Sequence, residues 1–352
     1  MPVTPTLQVT PADASAQPAA PHTMRCLEVW GGNQAVDNGV VMAGLDAWLY
    51  SRPYRGHAAG GDIHYVSSCA AGMLTRILVA DVSGHGQAVA GAADTLRGLM
   101  RRYVNFVDQT ELVRSLNVEF SALSQSGGFA TAVVASYLTH TDEFTLCNAG
   151  HPRPLWYRAR SREWAVMSNP GGGPGAGPGS RAAARPDDQL SNVPLGISGP
   201  ACYDQTRTRL GTGDLVVFYT DSLIEARAPD GRLLGEDGLL SLARTLDPSD
   251  PSEFIHALLR RVSAHTGVET GPIAADDLTI LILRPNGLKP RVPSWVVAKY
   301  LARMTAHALR SLLPGGPPFP WTDAGLMGKA GRALNRLNPR WGVARAATQL
   351  ER

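Results

Sequence analysis

Thr75-Arg76-Ile77-Leu78-Val79-Ala80-Asp81-Val82-Ser83-Gly84-His85-Gly86 is an apolar run that stops on an acid and turns through glycines. The run reads as a buried strand. After the turn, Val89, Ala93, Leu96, Met100 and Val104 recur at spacings of three and four, which predicts a helix from about Gln87 to Val107. Working outward, the same placement of an acid beside an apolar run recurs at Gly61-Asp62, Tyr219-Thr220-Asp221-Ser222 and Ala275-Asp276-Asp277-Leu278. Four strand-end aspartates are thereby expected on one rim. Hard oxygen donors without a matching set of His or Cys call for Mg²⁺ or Mn²⁺ rather than Zn²⁺.

The remaining elements follow from periodicity. Val41 to Tyr50 reads as a strand, followed by a turn at Gly60-Gly61. A second helix over about Thr110 to Leu123 carries Leu112, Leu116 and Phe120 on one face, and Gly127-Gly128 ends it. Ala130 to Leu138 and Glu143 to Cys147 read as a strand pair, Leu155 to Arg158 as a short strand, and Leu215 to Thr220 and Leu278 to Leu283 as core strands. Glu236 to Thr245 and Ser252 to His265 read as helices. Strands, then helices, then strands again define an α+β chain.

Residues 1–39 read as a disordered leader, since the opening stretch is dominated by Pro, Ala, Thr and Ser. The Gly/Pro-rich stretch 170–185 reads as a surface insertion within the domain 40–284. Residues 285–352 hold 11 Lys and Arg against two acids, so an acidic body is followed by a basic tail. In that tail Ser294 can cap a helix reaching Leu313, whose apolar stripe is flanked by Lys299, Arg303 and Arg310. The stripe suits either docking on the body or peripheral contact with an anionic membrane, with Trp295 placed for a lipid interface.

Cys26, Cys69, Cys147 and Cys202 form no C-x-x-C pair, which points to reduced thiols and a cytoplasmic setting. There is no basic start followed by an apolar stretch and no run of about 18 apolar residues, which argues against a signal peptide and a spanning helix. The tail lacks an aromatic and basic RNA-binding pattern, so no nucleic acid is expected. Ser83 two residues from His85 lacks both Gly-x-Ser-x-Gly and the separation that a nucleophile and base require. His85 and His151, in Gly-flanked loops, read as loop-shaping hydrogen bonders.

Six motifs in order, Gly60-Gly61-Asp62, Asp81-Val82-Ser83-Gly84-His85-Gly86, Asn148-Ala149-Gly150-His151-Pro152, Pro194-Leu195-Gly196, Gly213-Asp214 before Tyr219-Thr220-Asp221, and Asp276-Asp277-Leu278-Thr279, resemble the stage II sporulation protein E-like branch of the metal-dependent protein phosphatases, the PPM family. The resemblance spans about Val40 to Arg284. It implies a four-layer αββα sandwich of two mainly antiparallel sheets flanked by helices, with a dinuclear Mn²⁺ or Mg²⁺ centre at one edge. It implies that Asp81 bridges the ions, that Asp62 and the Val82 carbonyl complete one, and that Asp221 and Asp276 hold the other. Asp81 and Asp62 would then carry the catalysis. Asp277 stands beside Asp276, and the paired motif leaves the choice between them open. Ser222 departs from the glycine common after the strand-end Asp, and Ile63-His64-Tyr65 from the usual residues after Asp62. No phosphate-gripping arginine is evident, Arg52 and Arg55 being the ones at hand. The implied activity is phosphoserine and phosphothreonine hydrolysis by metal-activated water. The implied partner is a phosphorylated regulatory protein of the anti-anti-sigma type, in a bacterial partner-switching circuit. The alternative is a catalytically inactive phosphatase fold acting as a regulatory scaffold.

Overall fold

The computed structural model describes residues 21–24, 28–69, 72–83, 90–103, 109–123, 128–167, 192–199, 201–267 and 276–289. The 170–185 insertion, His85 and the tail helix from Ser294 lie outside them. Thirteen strands form two sheets. The seven-stranded sheet contains β1 (His22–Thr23), β3 (Val36–Met42), β4 (Leu45–Arg52), β13 (Leu278–Pro285), β12 (Leu215–Tyr219), β9 (Leu155–Arg158) and β10 (Glu163–Val166), in that spatial order. The six-stranded sheet runs β11 (Gln205–Arg209), β8 (Glu143–Ala149), β7 (Ala130–Leu138), β6 (Leu74–Val82), β5 (Asp62–Cys69), β2 (Val29–Gly32). Among the described strand pairs only β1 and β3 run in parallel.

The strands were legible as apolar runs because both faces of each sheet are covered. Side chains of alternate parity enter different layers. On β6, Ile77 and Val79 enter the layer between the sheets, while Leu78, Ala80 and Val82 meet the outer layer under α1 (Ala90–Tyr103) and α2 (Gln109–Leu123). On β12, Val216 and Phe218 face inward, and Leu215, Val217 and Tyr219 pack under α3 (Gly235–Ala243) and α4 (Pro251–Thr266). Three apolar layers therefore separate four structural layers, the αββα arrangement expected.

Two expectations change. The segment from Val41 to Tyr50 is a hairpin, with β3 and β4 paired through Met42 and Leu45. Gly44, at φ +80°, makes that tight reversal accessible, and a Cβ there would lie 2.2 Å from the Thr139 side chain. The leader also ends earlier than residue 39, because β1, β2 and β3 are paired into the sheets. Val40 and Met42 are buried between the sheets, so the apolar surface needed to order this segment comes from the body it joins.

Candidate metal centre

Asp62 opens β5 and Asp81 lies near the end of β6, and the two are directly opposite in the antiparallel register. Parity turns both carboxylates into the gap between the sheets, Asp81 with Ile77 and Val79, Asp62 with Val66. Asp221 follows β12, in a single 3₁₀ turn over Asp221–Leu223. Asp276 and Asp277 lead into β13, which pairs with β12. The four strand ends thus meet on one rim, two from each sheet.

The electrostatics show how tightly the acids are gathered. Burial, then Asp221, Asp276, Asp277 and Glu225, push the Asp81 carboxyl up to about 8. Burial, Glu225 and Asp276 raise Asp221 in the same direction. Asp62 is raised by burial and then by Asp81, against the opposing pull of hydrogen bonds from Thr279 and Thr220. Among the described residues no three Asp, Glu, His or Cys side chains converge on a single ion-sized point. A cation at this rim would take one or two carboxylates and complete its shell with water, the coordination that Mg²⁺ favours. The donor set, all oxygen and unbalanced by neighbouring cations in the shifts just described, fits such ions.

The neighbouring aspartates differ in their surroundings. Asp277 is buried, and its oxygens accept from the backbone N–H groups of Tyr54 and, at 2.7 Å, Gly61. Gly60 lies so close that a Cβ would stand 2.4 Å from Asp277 Oδ1. Asp276 is exposed, accepts from the Asp277 N–H at 2.8 Å, and is among the acids that raise both Asp81 and Asp221. Ser222 is buried and is not among the described positive-φ residues, so the turn after Asp221 does not require glycine. Val82 is buried at the end of β6, and its N–H donates to the Gly61 carbonyl at 3.3 Å.

The Ser83 hydroxyl accepts from the Phe129 N–H at 3.1 Å and serves as a β-edge link. His151 closes its own loop, its N–H donating to Asn148 Oδ1 and its carbonyl accepting from Asn148 Nδ2, both at 2.8 Å. Its ring meets Thr131 Oγ1 at 2.8 Å through Nδ1, and burial holds it near 3, hence neutral. Arg55 adopts φ +47° with its guanidinium over the Tyr54 ring, and Arg52 ends β4 exposed. Periodicity alone did not single out Thr279 or Ser51, although their parity on β13 and β4 already placed them toward the gap.

The chain belongs to the family described as stage II sporulation protein E (SpoIIE), whose model matches residues 72–286. Its fold is shared with the RsbU and RsbW domains of a Mycobacterium tuberculosis protein, at 23% identity and TM-score 0.54, covering 80% of this chain and 75% of that one. It is shared also with the PP2C phosphatase domain and a regulatory fragment of SpoIIE from Bacillus subtilis, at 15% identity and TM-score 0.51, covering 74% and 64%. The SiaA-PP2C domain of Pseudomonas aeruginosa matches at 16% identity and TM-score 0.52, covering 68% and 84%. The fold and family are therefore those of the PP2C-type, or PPM, phosphatases.

Proposed function

We propose that this chain is a Mn²⁺- or Mg²⁺-dependent protein serine/threonine phosphatase. The observation that carries the proposal is the gathering of Asp62, Asp81, Asp221 and Asp276 from two sheets onto one rim, where burial and then the neighbouring acids raise the Asp81 carboxyl to about 8. A rim of carboxylates that cannot all ionise comfortably is matched by divalent cations. Asp62, Asp81 and the Val82 carbonyl would hold one ion, and Asp221 and Asp276 the other. In this reading Asp276 rather than Asp277 belongs to the set, a choice supported by the two backbone donors that tie the Asp277 carboxylate to the turn. When bound, two such ions supply charge neutralisation for a phosphate and acidify the attacking water.

The residues' own part is to fix the carboxylates in place, and the bound cations would balance their charge. The physiological substrate in this reading is a phosphorylated regulatory protein of the partner-switching type. The fold likeness to a chain containing RsbU and RsbW domains supports that choice by analogy. The test is turnover of an aryl phosphate and a phosphoserine peptide with Mn²⁺, with Mg²⁺ and with EDTA. Both substrates are expected to turn over with metal and to stop with chelator. Metal-independent turnover would overturn the mechanism, and no turnover under any condition would leave the inactive scaffold.

A further inference from the structure

Asp62 belongs to the six-stranded sheet, yet its side chain is held by the other one. Thr220, directly after β12, donates its hydroxyl to Asp62 Oδ2 at 2.8 Å. Thr279 on β13 lies close enough to favour the ionised form of the same carboxylate. Thr279 N–H donates to Thr220 Oγ1 at 2.9 Å, and Thr220 N–H donates to the Thr279 carbonyl at 3.1 Å, so the two threonines are locked to each other. Ser51 on β4 meets Thr279 Oγ1 at 3.0 Å. All four residues are buried, Thr220 and Thr279 completely.

The proton directions follow from counting. A hydroxyl has one proton to give. Thr220 spends its proton on Asp62 and accepts from the Thr279 backbone. Thr279 supports Thr220 through its backbone N–H, and its hydroxyl meets that of Ser51, where either oxygen can donate. The Thr279 N–H and the Thr220 hydroxyl therefore point their protons in sequence toward Asp62. Such an array orients the carboxylate, because it fixes Oδ2 as the acceptor of a hydroxyl that is itself held in place.

We propose that Thr220 and Thr279 are positioning residues for the metal centre: working from the seven-stranded sheet, they commit Asp62 Oδ2 and present Oδ1 as a single-oxygen ligand. The inference rests on the metal reading of the rim given above. It adds that the residue before Asp221 and the residue two beyond Asp277 orient a ligand on the opposite sheet. The relay couples the two halves of the centre, because the Asp221 strand end and the Asp62 strand end cannot move apart without breaking it.

Thr→Val removes the hydroxyl at nearly constant shape, and Thr→Ser restores it. Full-length wild type, Thr220→Val, Thr279→Val, Thr220→Ser and Ser51→Ala would be titrated with Mn²⁺ by calorimetry, with melting temperature recorded for each. The Val variants are expected to bind one ion about 10- to 100-fold more weakly, the usual range for outer-shell partners of a metal ligand. Thr220→Ser is expected to recover wild-type affinity, and Ser51→Ala, which leaves the Thr220 donor to Asp62 intact, to change it by less than about 3-fold. Wild-type affinity in both Val variants would overturn the inference while leaving the metal reading intact. A loss shared equally by Thr220→Ser would assign the effect to packing and overturn it too. Failure of wild type to bind Mn²⁺ at all would instead overturn the metal reading. If one Val variant does not fold, the other carries the same comparison.

Discussion

Asp81 illustrates how a single residue can be both a liability and an instrument. Its carboxyl, held at about 8 in the fold against an ordinary value of 3.8, takes up a proton on folding across that interval. The sign follows directly. Without divalent ions, this residue's contribution to stability is fully present below about pH 4 and is lost as pH rises through about 8. Asp81→Asn removes a charge that only a cation or a proton can balance. The metal-free variant is therefore expected to melt a few degrees higher than wild type at pH 8, with the gap closing toward pH 5. The same variant is expected to lose Mn²⁺-dependent turnover. Thermal melts in EDTA across pH 5 to 8 check the first outcome, and an equal difference at every pH would contradict it.

At the scale of elements, the rim depends on how the ends of β4, β5 and β13 are tied. Asp277 joins three of them, accepting from Tyr54 after β4 and from Gly61 before β5 while leading into β13. Asp277→Asn replaces an accepting oxygen with an N–H₂ group that faces a backbone N–H. Leaving that buried donor unsatisfied costs about 1–3 kcal/mol. The variant is expected to lower the unfolding free energy measured by urea titration by that amount while still binding Mn²⁺, whereas Asp276→Asn is expected to weaken Mn²⁺ binding with little loss of stability. Equal effects from the two would remove the distinction between staple and ligand. The helices are built more conventionally. In α4, Asp250 accepts from the N–H groups of Ser252 and Glu253, Pro251 occupies the first turn, and Gly267 closes the helix at φ +70°.

Across the whole molecule, the two sheets contribute rim acids in pairs, Asp62 and Asp81 from one, Asp221 and Asp276 from the other. If the rim binds divalent ions as proposed, binding requires both sheets to be assembled, and the ions act as ligands of the folded state. At 100 times the dissociation constant, such linkage amounts to about 2.7 kcal/mol per ion. Saturating Mn²⁺ is expected to raise the melting temperature by several degrees, and EDTA to reverse the rise. A melting temperature indifferent to Mn²⁺ would mean that the rim does not bridge the sheets through metal. Among the described residues no helix is long and apolar enough to cross a membrane.

Much of this was readable from the chain because strands covered on both faces are written as unbroken apolar runs, and an acid at the end of such a run is conspicuous. Ile77 to Asp81 and Leu215 to Asp221 declare their strand ends without any tertiary information. Motif order then identified the family that the match over residues 72–286 shows. What the chain could not display was contact between residues far apart in sequence. Asp276 and Asp277 are the same side chain in adjacent positions, and only the approach of Gly61 and Tyr54 separates a backbone staple from a rim acid. Val36 to Met42 lacks a strong strand signal of its own, and it became β3 because β4 and the inter-sheet core were there to receive it. Thr220, Thr279 and Ser51 look like ordinary strand residues until the sheets stack and link them to Asp62. Local pattern determined which residues form strands and where their acids fall, whereas sheet-on-sheet packing decided which oxygens are left for chemistry, because that depends on donors supplied from the opposite sheet.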